Sequence, residues 1–140
     1  MLSRISLVVV VLTFSSSLMA SKWSKISISQ KGSYVGKDNS GIPCSMEVNE
    51  IKFSLLGSIK NLSVEITQEN QTVAGIQLKC TKHIENGTHC NGDSPIFGHI
   101  SLQPHGGIGT MQDGTRYNIY PHVLIERLGS CNDLQLKQDQ

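Results

Sequence analysis

From residue 25 to residue 126 the chain returns again and again to one rhythm, apolar then polar. That period of two belongs to strands with one face buried and one face in water. "KISIS" (25–29) sets Ile26 and Ile28 on one side. "LSVEIT" (62–67) aligns Leu62, Val64 and Ile66, and "VAGIQLKC" (73–80) aligns Ala74, Ile76, Leu78 and Cys80. A short loop at "ENQ" (69–71) joins these two runs into a hairpin that places Val64 opposite Ile76 and Leu62 opposite Leu78.

"MEVNEIKFSLL" (46–56) begins with Met46 and Val48 and then changes parity to Ile51, Phe53 and Leu55. A change of parity inside one run predicts a β-bulge near Asn49–Glu50 or a break there, with Phe53 in the core. "IFGHISL" (96–102) is expected to bury Ile96, Ile100 and Leu102, and "YNIYPHVLIE" (117–126) to bury Ile119, Val123 and Ile125. Pro121 has no N–H for a ladder, so it marks an edge strand or a bulge. Two glycine-punctuated stretches, "QKGSYVGKDNSGIPC" and "QPHGGIGTMQDGT", read as long loops, the first alternatively as a loose edge hairpin. The tail "CNDLQLKQDQ" reads as frayed, with a single helical turn as the alternative.

After residue 20 no segment sustains a helical spacing of apolar residues over three turns. Short strands separated by Gly, Asn and Asp predict an all-β domain: an antiparallel β-sandwich, or a small barrel, of six to eight strands.

The first twenty residues are of another kind. Arg4 precedes an apolar run from Ile5 to Phe14, and small and polar residues follow as far as Ala20. This is the order of a secretory signal peptide, and the run is too short to cross about 30 Å of hydrocarbon as a helix. Residues 1–20 are therefore expected to be a cleaved signal peptide, residues 21–140 one domain, and the compartment extracellular, or periplasmic in a bacterium. No later segment is apolar enough to span a bilayer. The chain has 12 Lys+Arg and 11 Asp+Glu; without Arg4 that becomes 11 against 11, a neutral domain. Zero net charge gives no electrostatic reason to hold nucleic acid or an anionic membrane.

All four cysteines, Cys44, Cys80, Cys90 and Cys131, follow residue 20. An even number in an oxidising compartment reads as two disulfides. Of the three connectivities, Cys80–Cys90 with Cys44–Cys131 is favoured, because one bond closes a short local loop and the other ties the two ends together.

Between two of those cysteines lies "HIENGTHC" (83–90), with two histidines around an Asn-Gly turn signal. A two-residue turn there pairs His83 with Cys90 and separates the histidines. A three-residue loop sets His83 against His89 as half of a zinc or copper site. The turn chemistry favours separation, and oxidised cysteines cannot ligate a metal.

His99 and His122 are the more informative pair. Both occupy polar positions of their strands, and if Leu102 meets Ile119 then His99 falls opposite His122, with Tyr120 beside them. Two imidazoles near a tyrosine suit acid–base work or a metal ion. His105 opens the glycine-rich "PHGGIG", which lacks the spacing and the lysine of a phosphate loop. Long loops on rigid sheets often carry binding residues, so 103–116 is the first candidate for a contact surface. No nucleophile motif occurs. A glutamate–histidine–arginine set of the kind secreted ribonucleases use would need Glu126, His99, His122 and Arg116, common residues that assemble on paper in many chains. Exposed aromatics are too few to support sugar recognition.

Three glycosylation sequons, at Asn61, Asn70 and Asn86, matter only in a eukaryotic source. The expectation is an exported, non-enzymatic binding protein that meets another protein or an extracellular ligand through its loops and polar sheet face, as an inhibitor or accessory factor. Its candidate contacts are His99, His105, Tyr120 and His122, and no cofactor is implied. The alternative is a small secreted hydrolase or metal-binding protein using His99, His122 and His105.

Overall fold

The computed structural model describes residues 27–83 and 87–137. Its strands are β1 (Gly32–Lys37), β2 (Pro43–Phe53), β3 (Ile59–Gln68), β4 (Gln71–His83), β5 (Gly87–Ser94), β6 (Gly98–Gln103), β7 (Gly107–Thr110), β8 (Arg116–Ile119), β9 (His122–Ile125) and β10 (Gly129–Leu136). Eight of them close into an antiparallel barrel in the order β1-β10-β9-β6-β5-β4-β3-β2, while β7 and β8 pair only with each other. Closure removes the exposed sheet edges that an open antiparallel sheet must otherwise protect. The expected signal peptide lies outside the described residues.

Alternation builds the core as the sequence predicts. Met46, Val48, Leu62, Val64, Ile66, Leu78, Ile100, Leu102, Val123, Ile125 and Leu134 point inward, each at most 1% exposed. Truncating one such side chain to Ala costs about 2–5 kcal/mol, the lost transfer energy plus a cavity. Tyr34 also lies inside, and its hydroxyl donates to the Gln30 carbonyl at 2.8 Å. Ile28 caps one mouth of the barrel, its N–H bonded to the Pro104 carbonyl at 2.8 Å.

The β3–β4 hairpin has the expected partners, Leu62 with Leu78 and Val64 with Ile76. Its turn is tighter than "ENQ": Gln68 pairs with Gln71, and Glu69 and Asn70 both take positive φ. A bulge at Ala74–Gly75 absorbs the difference, since Ile66 pairs with Val73. The bulge reverses parity, so Val73 is buried and Ala74, expected inside, is exposed.

In β2 the bulge falls where parity predicts it, with Asn49 as the extra residue between the Val48 and Glu50 pairs. A second shift, between Lys52 and Phe53, was not legible and ends the inward run. Phe53 is therefore 49% exposed rather than core, and Leu55, in the turn beyond it, is fully exposed. Ile96 likewise stands out at 71% because it precedes β6 in a turn.

Other expectations are corrected by the closure itself. The glycine-rich "QKGSYVGKDNSGIPC" holds β1 and its turn, where Asp38 Oδ1 accepts from the N–H groups of Ser40 and Ile42 at 2.9 Å. This is neither a long loop nor an edge, because β1 pairs on both sides. The tail is not frayed as far as Leu136: it is β10, bonded to β9 and β1.

Both disulfides have the expected connectivity, Cys44–Cys131 and Cys80–Cys90. Cys80 and Cys90 stand directly opposite each other across the β4–β5 ladder. Cys44 and Cys131 lie on β2 and β10, which flank β1, and the bond passes behind Gly36 of β1. A Cβ at Gly36 would strike the Asn132 carbonyl and crowd Cys131 Sγ, so the sharp bend of the wall there admits only glycine.

Candidate functional site

β6 and β9 are barrel neighbours, and the eighteen residues between them (104–121) leave the wall and return. The excursion is anchored where it departs. Ser27 bridges to His105, and Ser27 Oγ accepts the Gly106 N–H at 3.2 Å. Beyond it β7 and β8 form a hairpin rather than the expected loop, with Gly107 opposite Ile119 and Thr110 opposite Arg116. Its turn is held by Met111 N–H to the Thr115 carbonyl (2.8 Å) and by Thr115 N–H to Asp113 Oδ1 (2.9 Å). Those Thr115 bonds hold the Asp113 carboxyl below its ordinary range. The Tyr117 ring lies over Gly109, where any side chain would collide with it.

This excursion decides the register of the strands around it. Ile119 belongs to β8, not to a strand facing Leu102, and is 44% exposed. Pro121 is buried at the junction of β8 and β9, where its carbonyl accepts the Leu134 N–H at 2.9 Å. It therefore breaks the expected strand in two, and β9 is an interior barrel strand. Leu102 then meets Val123, and His122 meets Gln103 rather than His99.

The four candidate contact residues consequently part. Tyr120 and His122 line one open cleft of about 410 Å³, together with Tyr117, Asn118, Ile119, Asn132 and Asp133. Asn118 Nδ2 donates to the Tyr120 hydroxyl at 3.3 Å. Asp133 enters the cleft wall with φ of 56°. Two tyrosine rings, two amides, an imidazole and a carboxylate thus line one surface.

His99 lies toward the other end of β6. Its Nδ1 is 3.2 Å from Asp93 Oδ1 and its Nε2 is 3.2 Å from Asn91 Oδ1, while its backbone N–H donates to Glu126 Oε2 at 2.8 Å. His105 sits at the foot of the hairpin, where partial burial and then the Lys82 charge lower its pKa below 6.5. No family model, curated protein or solved structure matches this chain. The site must be judged on its own chemistry.

Glu126 reaches His99, but His122 is at the opposite end of β9 and Arg116 is out on β8, so the ribonuclease-like set does not assemble. Among the described residues no group of three or more His, Cys, Asp or Glu is placed to hold a metal ion. In "HIENGTHC" the backbone register is neither of those expected: His83 faces Gly87 and His89 faces Thr81. The turn residues 84–86 lie outside the described residues. Among those described, no helix is long and apolar enough to cross a membrane.

Tyr117, Asn132 and Asp133 are site residues that the sequence did not announce. Asn132 and Asp133 reach the cleft only because β10 closes the barrel beside β9, a long-range pairing with no local signal.

Proposed function

We propose that this is an exported, non-enzymatic binding protein whose β7–β8 hairpin and adjoining cleft grip a protein partner, as an inhibitor or accessory factor does. One observation carries the reading. The barrel closes without the hairpin, yet the hairpin holds Tyr117 and Ile119 on one face, Ile108 on the other and Met111 in its turn, all in solvent at 44–55% exposure. Apolar side chains left in solvent on an appendage outside the barrel wall are characteristic of contact surfaces. Tyr117 and Tyr120 beside the cleft are the amphipathic rings that interfaces favour. Two disulfides fit an oxidising compartment.

The test is photo-crosslinking of the oxidised protein in its native extracellular medium, with the probe at Ile108 in one sample and at Thr72, remote in the barrel, in another. One defined protein adduct at Ile108, absent at Thr72 and lost in an I119E/Y120A variant, is the expected result. Adduct patterns that are the same at both positions, or unchanged by the variant, overturn the reading. A measured activity abolished by His122→Ala in a folded protein would establish the hydrolase alternative instead.

A further inference from the structure

The neutral charge of the domain conceals an uneven distribution. β2, β4, β6 and β10 all run toward the mouth that Ile28 caps, so the β2–β3 turn and the β7–β8 hairpin rise on opposite sides of that mouth. At the tip of the β2–β3 turn Leu55 and Leu56 are 107% and 97% exposed, touching essentially nothing. The turn that carries them is nonetheless well defined. The Ser54 N–H donates to the Ser58 carbonyl at 2.7 Å, the two serine hydroxyls meet at 2.7 Å, and Gly57 supplies a φ of 87°. Two leucines are thus held in water by a rigid turn over the buried Ile59.

Around that tip basic side chains outnumber acidic ones among the described residues. Lys52 and Lys60 flank it on β2 and β3, and on β4 Lys79 stands opposite Asn61. The nearest acid, Glu50, is bonded to Lys52 at 3.5 Å. The acids Asp38, Glu69, Asp93 and Glu126 sit instead at the strand ends of the other mouth. Apolar tips encircled by lysines match a bilayer with anionic headgroups: leucines enter the acyl boundary while ammonium groups remain at the phosphates.

We infer that the β2–β3 tip is a peripheral membrane-docking device, with Leu55 and Leu56 as its wedge and Lys52, Lys60 and Lys79 as its anionic-lipid contacts. This goes beyond the partner-binding reading and does not depend on it, because the hairpin is on the far side of the mouth. Net charge pointed away from such a role; the barrel creates it by sorting the charges. Asn61 lies among these lysines, so a surface used in this way must leave its sequon unmodified.

The experiment is co-sedimentation of the oxidised protein with phosphatidylcholine vesicles and with equimolar phosphatidylcholine–phosphatidylglycerol vesicles. Binding to the anionic vesicles alone is expected, weakening with salt. L55S/L56S, which alters only exposed side chains, should reduce partition at least about tenfold at unchanged Tm. K60Q/K79Q should reduce it roughly fivefold per lysine. I108E/I119E, which disables the proposed partner site, should bind vesicles as the parent does. Failure to bind anionic vesicles, equal binding to neutral ones, undiminished binding by L55S/L56S, or a glycan on Asn61 of the native protein would each overturn the inference.

Discussion

Removing the Cys44–Cys131 bond should destabilise this barrel more than removing Cys80–Cys90, and the difference can be worked out in advance. A cross-link stabilises chiefly by denying the unfolded chain the conformations it would otherwise sample. The two bonds span 87 and 10 residues. The loop-entropy relation then gives about 4.6 kcal/mol for the long loop and about 2.7 kcal/mol for the short one, a gap of about 1.9 kcal/mol. Folded-state contacts act in the same direction. Cys80 and Cys90 already face each other across a hydrogen-bonded ladder, whereas β2 and β10 have β1 between them. Cys44 and Cys131 are both buried, while Cys80 is only half-buried. The assay is thermal and urea unfolding of C44A/C131A and C80A/C90A beside the parent. At roughly 4 °C per kcal/mol for a domain of this size, the first variant should melt about 8 °C below the second. Equal shifts, or the reverse order, would refute the loop-length argument and with it the view that the Cys44–Cys131 bond governs the unfolded chain.

Three further outcomes follow from individual contacts. Gly36→Ala should cost about 1–3 kcal/mol, because the new methyl meets the Asn132 carbonyl and Cys131 Sγ; a neutral result in urea titration would show that the wall can flex there. Tyr34→Phe removes the hydrogen bond to the Gln30 carbonyl and should lower stability by about 0.5–1.5 kcal/mol with no change in m-value. His105 has a folded-state pKa below its ordinary 6.5, so above that value it is neutral in both states and contributes no pH dependence. As the pH falls through 6.5 the unfolded chain takes the proton first, and stability declines until the folded histidine is protonated too. His105→Gln should flatten that part of the stability–pH curve, and a parent curve already flat there would contradict the assignment.

What the sequence made legible was whatever rests on neighbours. The β3–β4 partners, the Asn49 bulge and the Cys80–Cys90 bond could be read because parity and short loops specify them, and Cys44–Cys131 followed as the remaining pair. The β6–β9 register could not, since it depends on how many residues the chain spends outside the wall between Gln103 and His122. Phe53 misled for a related reason: a second irregularity at Lys52 turns an apolar position outward without any change in the alternation that precedes it. Of the site, Tyr120 and His122 were visible as polar-face residues, but Asn132 and Asp133 came from a tail whose strand exists only because the barrel closes on it.

The bond between Cys44 and Cys131 makes everything from β2 to the start of β10 one covalent ring, and β1 lies outside it. The first strand can therefore detach without releasing its two neighbours, which remain tethered on either side of the gap it leaves.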